Sequence, residues 1–134
     1  MQKLPSILAI NGSATSNSSN LAILKSLASW AGDELKITII EDLSVYPLFR
    51  TELTDINTPA SIIELREVIH KADGIIISSP EYVFSIPAGL KNIIEWCVST
   101  TVFSDKPVGL ITASASGLKA YEELQMIMKT IQAL

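Results

Sequence analysis

Four short, mainly apolar runs, at residues 6–10, 35–40, 74–79 and 108–112, alternate along the chain with longer stretches of helical periodicity. This alternation constrains the fold more than any other feature. A continuous run of Ile, Leu, Val and Ala bounded by turn residues reads as a strand covered on both faces. The stretches between carry apolar residues at helical spacing, as with Leu21, Leu24, Leu27 and Ala28 in a helix over 20–30 that Gly32 stops. Thr58-Pro59 predicts the start of a second helix, with Thr58 as N-cap and Pro59 in the first helical position. That helix carries Ile62, Ile63, Leu65, Val68 and Ile69 and ends near Ala72. A third helix is expected over 88–98 and a fourth from the loop at 113–117 to the C-terminus. The order β-α-β-α-β-α-β-α predicts an α/β fold, a three-layer, doubly wound parallel sheet.

Composition narrows the possibilities. With 134 residues, 48% of them apolar and 18% charged, the chain suits one domain, 1–134, with its own core. The net charge of −4 comes without a basic run, so no nucleic-acid partner is expected. Cys97 is the single cysteine, which excludes an internal disulfide and a thiolate zinc site and suits a reducing cytoplasm. The apolar run at the start stops at Asn11-Gly12, too early for a signal peptide, and no stretch approaches a membrane span.

In open α/β sheets, ligands sit beyond the carboxyl ends of the strands, where the strand order switches. Three loops therefore matter. The first, 12–20, is rich in Ser, Thr and Asn and enters a helix. Free backbone N–H groups, hydroxyls and the helix dipole favour an anion there. Equally, it reads as an ordinary connection with Ser18 or Ser19 as N-cap. It matches neither the Walker A pattern nor G-x-G-x-x-G. The second loop, 79–87, is stiffened by Pro80 and Pro87. It presents Tyr82 and Phe84, which can pack on a flat ring or cover a subunit contact. The third, 112–117, has small residues that permit close backbone approach.

Cys97 reads as a buried inert thiol, His70 as a helix-end cation, Trp30 and Trp96 as packing residues, and Glu122-Glu123 as a solvated helix face. No Ser-His-Asp order or metal-spaced cluster suggests a protein catalyst, so no catalytic side chain is assigned.

The segment Pro80-Glu81-Tyr82-Val83-Phe84-Ser85-Ile86-Pro87-Ala88-Gly89-Leu90-Lys91-Asn92-Ile93-Ile94-Glu95-Trp96 resembles P-E-Y-N-x-S-x-P-x-x-L-K-N-x-x-D-W of the NADPH-dependent FMN reductases. That family includes chromate, quinone and azo-dye reductases. Gly12, Ser13, Ser18 and Asn20 resemble its G-S-x-R-x-x-S-x-N, and the third loop its S-A-S-G turn. The resemblance implies a flavodoxin-like sheet of order 2-1-3-4, with the family's usual fifth strand missing. Strand four would then be an edge. It also implies FMN phosphate at Ser13, Thr15, Ser18, Ser19 and Asn20. The flavin ring would lie against Pro80, Glu81, Tyr82 and Val83, with Ser114, Ser116 and Gly117 approaching it. Leu90, Lys91 and Asn92 look structural. Thr15 stands where the family has arginine, and Val83 where it has asparagine.

The implied activity is an NAD(P)H-dependent FMN reductase, moving electrons from NAD(P)H through FMN to a small-molecule acceptor: a quinone, azo compound, metal oxyanion or free flavin. The implied assembly is a homodimer or homotetramer. A flavin-binding electron carrier and a non-catalytic remnant would share the fold. NADPH oxidation and the colour of the purified protein separate the three.

Overall fold

The computed structural model describes residues 3–134. Four parallel strands, β1 (Ser6–Asn11), β2 (Lys36–Ile40), β3 (Gly74–Ser79) and β4 (Val108–Thr112), form one sheet in the order β2-β1-β3-β4. The helices are α1 (Ser19–Ala31), α2 (Ala60–Lys71), α3 (Ala88–Glu95) and α4 (Leu118–Thr130). The expected class and strand order are both present. The irregular segment between β2 and α2 contains two short 3-10 turns, Leu43–Val45 and Thr51–Leu53.

The strands' alternation separates two faces. Leu8, Ile10, Ile75 and Ile77 are at most 1% exposed and share one cluster with Ile62, Leu65 and Ile69 of α2, Leu90, Ile93 and Ile94 of α3, and Ala120, Leu124 and Met128 of α4. Each fully buried aliphatic side chain contributes about 1.5–3 kcal/mol. The opposite face is served by α1, whose Leu21 and Leu24 are buried outside that cluster. Ile76 and Ile111 are half-buried on that thinner side, and Gly109 is exposed.

Several local expectations change. Pro59, not Thr58, is the N-cap residue of α2, without a side-chain cap. The Thr58 hydroxyl instead donates to the Leu53 and Thr54 carbonyls. A local carbonyl pair has outcompeted the helix end for that hydroxyl. α3 is shorter than expected, because its regular bonds give way to turns after Glu95. Trp30 is 86% exposed, whereas Trp96 is fully buried, so only the second is a packing residue. Cys97 is buried as expected, and burial pushes its thiol pKa up to about 12.

β4 is an edge strand, but its beginning has a partner. The Leu134 N–H donates to the Lys106 carbonyl at 2.9 Å, and the Val108 N–H donates to the Leu134 carbonyl at 3.2 Å. That pair of bonds is a parallel bridge, so Leu134 lies in strand register beside β4. A hollow of about 200 Å³ lined by Leu110, Tyr121, Met128 and Leu134 continues along the same edge.

The helix-three motif shows why its residues matter. The Asn92 amide accepts from the Phe49 N–H at 2.8 Å and donates to the Pro47 carbonyl at 3.0 Å. The Trp96 indole N–H donates to the same carbonyl at 2.8 Å, and its ring meets Phe49 edge-on at 5.1 Å. Asn92 and Trp96 thus fasten the segment that follows β2 onto α3. Leu90 is fully buried beneath the loops.

Candidate functional site

The loops after β1, β3 and β4 meet beyond the carboxyl ends of the strands. Loop one is built around Asn11, the last residue of β1, which is 1% exposed. Its amide oxygen accepts from the Ser13 N–H at 3.1 Å and from the Ser18 hydroxyl at 3.4 Å. Its amide nitrogen donates to the Glu41 carbonyl at 3.0 Å. The first contact is an Asx-turn, in which a side chain replaces a backbone acceptor. Gly12 follows because β3 is close: a Cβ there would lie 3.1 Å from the Ser79 Cβ and 3.2 Å from the Leu90 side chain. Asn11 was overlooked as a site residue. Its signal was its place directly before Gly12-Ser13 at the end of the first strand.

Ser18 is the N-cap of α1, its hydroxyl accepting from the Leu21 N–H at 3.0 Å. The cap reading of that residue is therefore present, and Ser19 is the first residue of the helix. The Asn20 side chain is 2% exposed and points inward. It accepts from the Ser78 hydroxyl at 2.8 Å and donates to the Ala113 carbonyl at 3.4 Å. It pins α1 to the ends of β3 and β4.

Loop two has a fixed base and a strained tip. The Glu81 carboxylate accepts from the Ser116 hydroxyl at 2.9 Å and from the Ala120 N–H at 2.8 Å. It thereby caps the first turn of α4 from another loop, where the helix dipole favours negative charge. The Ala120 N–H, first among several hydrogen bonds, holds the Glu81 pKa below its ordinary value. Ser85 is tied to the same helix, donating to Glu123 at 2.8 Å. Glu123 is thus a tether rather than part of a solvated face. Glu122 does lie exposed, 3.6 Å from Lys119.

Tyr82 and Ser85 exchange backbone bonds of 2.9 and 3.0 Å. Between them Val83 and Phe84 have φ of 52° and 59°. Two successive positive φ values are the pattern of a type I′ turn, which favours Asn-Gly. A β-branched residue there is a genuine outlier. An asparagine at position 83 would adopt this backbone more cheaply. The cost of Val83 is therefore conformational, not only the loss of a polar side chain. Val83 is 95% exposed and Phe84 75% exposed.

The Tyr82 side chain turns back to loop one. Its hydroxyl oxygen lies 3.3 Å from the Ser13 hydroxyl and accepts from the Ala14 N–H at 3.4 Å. These contacts, Ser13 first, lower the Tyr82 pKa. The Thr15 N–H donates to the Ser13 hydroxyl at 3.1 Å. A hollow of about 280 Å³ adjoins these groups, lined by Ser13, Ala14, Thr15, Ser16, Leu21, Glu41, Asp42 and Ser44.

Loop three turns at Gly117, where φ is 65° and a Cβ would lie 2.9 Å from the Thr112 methyl. Ser114 is exposed, and Ser116 is held by Glu81. At the foot of this loop, Thr112 Oγ1 is buried without a hydrogen-bond partner among the described residues. Among those residues there is also no cluster of His, Cys, Asp or Glu able to hold a metal, and no helix long and apolar enough to cross a membrane.

A parallel sheet of this order, with three interlocked loops at its carboxyl end, defines a doubly wound, flavodoxin-like protein. The family model for NADPH-dependent FMN reductases matches residues 5–134. A quinone reductase of Escherichia coli strain K12 is 28% identical over 134 residues, covering 96% of this chain and 71% of that protein. An NAD(P)H-dependent FMN reductase of Pseudomonas aeruginosa is 32% identical over 111 residues, covering 81% and 60% respectively. The solved structure of a flavoenzyme NAD(P)H:(acceptor) oxidoreductase from Paracoccus denitrificans superposes with a TM-score of 0.87 at 21% identity, covering 98% of this chain and 74% of that one. An azoreductase from Bacillus anthracis gives 0.73 at 14% identity, with coverages of 98% and 83%. The chain belongs to the NADPH-dependent FMN reductase family. It is an oxidoreductase of the FMN- and NAD(P)H-dependent kind.

Proposed function

We propose that the three interlocked loops hold FMN, with the phosphate at loop one and the ring between loops two and three. The observation that carries this reading is the convergence itself. Tyr82 ties loop two to loop one, Glu81 ties loop two to loop three, and Asn20 ties α1 to the foot of loop three. The Ser13 hydroxyl and the Ala14 and Thr15 N–H groups would face the phosphate. Pro80, Glu81, Tyr82 and Val83 would border the ring on one side, and Ser114, Ser116 and Gly117 on the other. The Glu81 carboxylate would act from behind, fixing the distance between its two borders. The buried, partnerless Thr112 Oγ1 supports a polar ligand near the foot of loop three.

When bound, FMN supplies hydride acceptance from a nicotinamide and electron delivery to an acceptor. The chain's own residues bind and orient, and none is asked to move a proton. The names of the relatives favour a quinone or flavin as acceptor. The reading also places the protein in the cytoplasm, with its nicotinamide donor. It further makes the protein a homodimer or homotetramer, supported by the exposed Val83 and Phe84 at the tip of loop two and Leu118 nearby.

Flavin titration of the purified protein, followed by NADPH oxidation with a quinone acceptor, tests the reading. A yellow protein that turns over NADPH is expected. A protein that binds no FMN at high micromolar concentration would overturn it. Light scattering reads the assembly separately.

A further inference from the structure

We propose that a hollow at the amino ends of the strands, the end opposite the three loops, binds a small amphiphilic organic anion: a carboxylate head on an unbranched apolar body. The proposal is independent of the flavin assignment.

The hollow exists because α2 does not cover the full width of the sheet. In register, Ser6 pairs with Lys36 and Leu8 with Thr38, so these four side chains share one face. Leu8 beneath the helix is 1% exposed, whereas Lys36 and Thr38 on the edge strand lie open. The space left beside α2 measures about 740 Å³, within the range of small-molecule sites. Leu4, Leu35 and Val68 give it an apolar wall. Leu4 is 49% and Val68 42% exposed, so a ligand lying on them removes apolar surface from water.

The rim is cationic in a chain of net charge −4. Lys3, Lys36 and Lys71 line it, three of only ten Lys and Arg residues, against one carboxylate, Asp33. Two further carboxylates stand close and are already engaged. Glu67 pairs with Lys71 at 2.6 Å, an exposed and therefore weak pair. Asp73 accepts from the Ser6 N–H at 2.7 Å and the Ser6 hydroxyl at 3.2 Å. Lys36 makes no ion pair among the described residues and is the main anchor.

Little else in the hollow is polar. The Lys36 N–H donates inward to the Pro5 carbonyl, so the outward backbone groups of β2 belong to Ile37 and Ile39, which do not line it. A peptide or sugar would lose water from polar groups that nothing here replaces. An acyl chain has no such groups to lose.

Calorimetric titration of the full chain with decanoate tests the site, with backbone amide shifts mapping it. Saturable binding is expected, with shifts at residues 3–8, 33–38 and 68–72. Affinity should rise about two- to fourfold per CH₂ from hexanoate to decanoate. Lys36→Gln with Lys71→Gln should weaken decanoate roughly three- to tenfold, and ~0.5 M salt should act in the same direction. Val68→Asp should abolish binding. Melting curves confirm that these surface variants fold, and their FMN titrations should match wild type. Decanol binding as tightly as decanoate would overturn the anionic head. Undiminished binding to the lysine or Val68 variants, or shifts confined to the three loops, would overturn the location. Hexaglutamate seated there more tightly than decanoate would make the hollow an acidic-peptide surface and overturn the proposal. No binding at millimolar decanoate would also overturn it. A chain that binds decanoate as expected but no FMN would sink the flavin reading alone.

Discussion

Loops one and two lie side by side at the same end of the sheet, yet they are shaped by opposite means. Loop one is wired from within. Asn11, Ser13 and Ser18 are close in sequence and bond mainly to one another, their distant partners being the Glu41 carbonyl and the Tyr82 hydroxyl. Loop two is shaped from outside. Its base hangs on Ser116, Ala120 and Glu123, residues more than thirty positions away, and its tip carries two strained residues. A locally wired loop is stable wherever its strand and helix are stable. A loop wired at long range is only as stable as the helix that holds it. Loop one should therefore outlast loop two under stress.

Removing the hub of the first loop is the sharpest way to break this contrast. Asn11→Ala would strand the Ser13 N–H and the Ser18 hydroxyl and leave the Glu41 carbonyl unpaired. A buried donor or acceptor left alone costs about 1–3 kcal/mol, so a total loss of about 2–4 kcal/mol is expected. Urea unfolding should show a lower midpoint with an unchanged slope. Flavin titration should show lost FMN binding in the fraction that remains folded. A variant as stable as wild type would mean that loop one is held from elsewhere.

The second loop should respond to acid. The Glu81 pKa is lowered from an ordinary value of 4.5 by its bonds to α4 and loop three. A depressed carboxylate contributes stability that is fully present above the unfolded pKa. That contribution fades as pH falls below it and is gone beneath the folded pKa. Glu81→Gln should therefore melt earlier than wild type at pH 7, and the two melting curves should converge as pH falls below 4.5. Loop-two and loop-three amides should exchange faster in the variant while those of loop one keep their protection. A gap that persists in acid would assign the effect to shape rather than charge.

The same contrast explains what was legible in the sequence. All four strands and the helices follow from apolar runs and periodicity, because burial imposes those patterns locally, whereas the strand order follows only from the family resemblance. Asn92 and Trp96 were readable as structural through the long motif. Asn20 was picked out as a site residue, but its direction was not readable: inward and outward polar side chains look alike until the end of β4 is in place beside them. The tethers made by Glu81 and Glu123 were not readable for the same reason, since their partners lie across the fold. The backbone of Val83 was hidden because valine gives no sign of a left-handed turn. Trp30 shows the limit of hydrophobicity itself, an apolar residue at helical spacing on a face that α1 leaves open.

The tip of loop two can be relaxed without touching its base. Val83→Asn should raise stability by about 1 kcal/mol, because a β-branched residue is penalised at positive φ and asparagine much less so. The melting temperature should rise by about 3–5 °C for a chain of this size. Adding Phe84→Gly restores the usual type I′ pair and should not weaken the turn. Loss of stability on Val83→Asn would mean that the turn is not in this conformation in solution.

The smallest expected effect tests loop one at its charged rim. Thr15 occupies the family's arginine position, beside the donors assigned to the phosphate. Arginine there adds a charge-assisted contact to a phosphate. Two carboxylates line the same hollow, however: Glu41, 3.4 Å from Lys25, and Asp42, held ionised by the Ser44 hydroxyl and N–H. The new guanidinium would be shared between them and the ligand, so the gain should be modest. Thr15→Arg is expected to tighten FMN about two- to fivefold at low salt, typical of an exposed ion pair. The gain should shrink as salt approaches ~0.5 M, where screening acts over a few ångströms. Riboflavin affinity should not change. Adding Asp42→Asn to Thr15→Arg should enlarge the FMN gain, since one competing carboxylate is gone. A gain that ignores salt, or appears equally with riboflavin, would move the phosphate away from position 15.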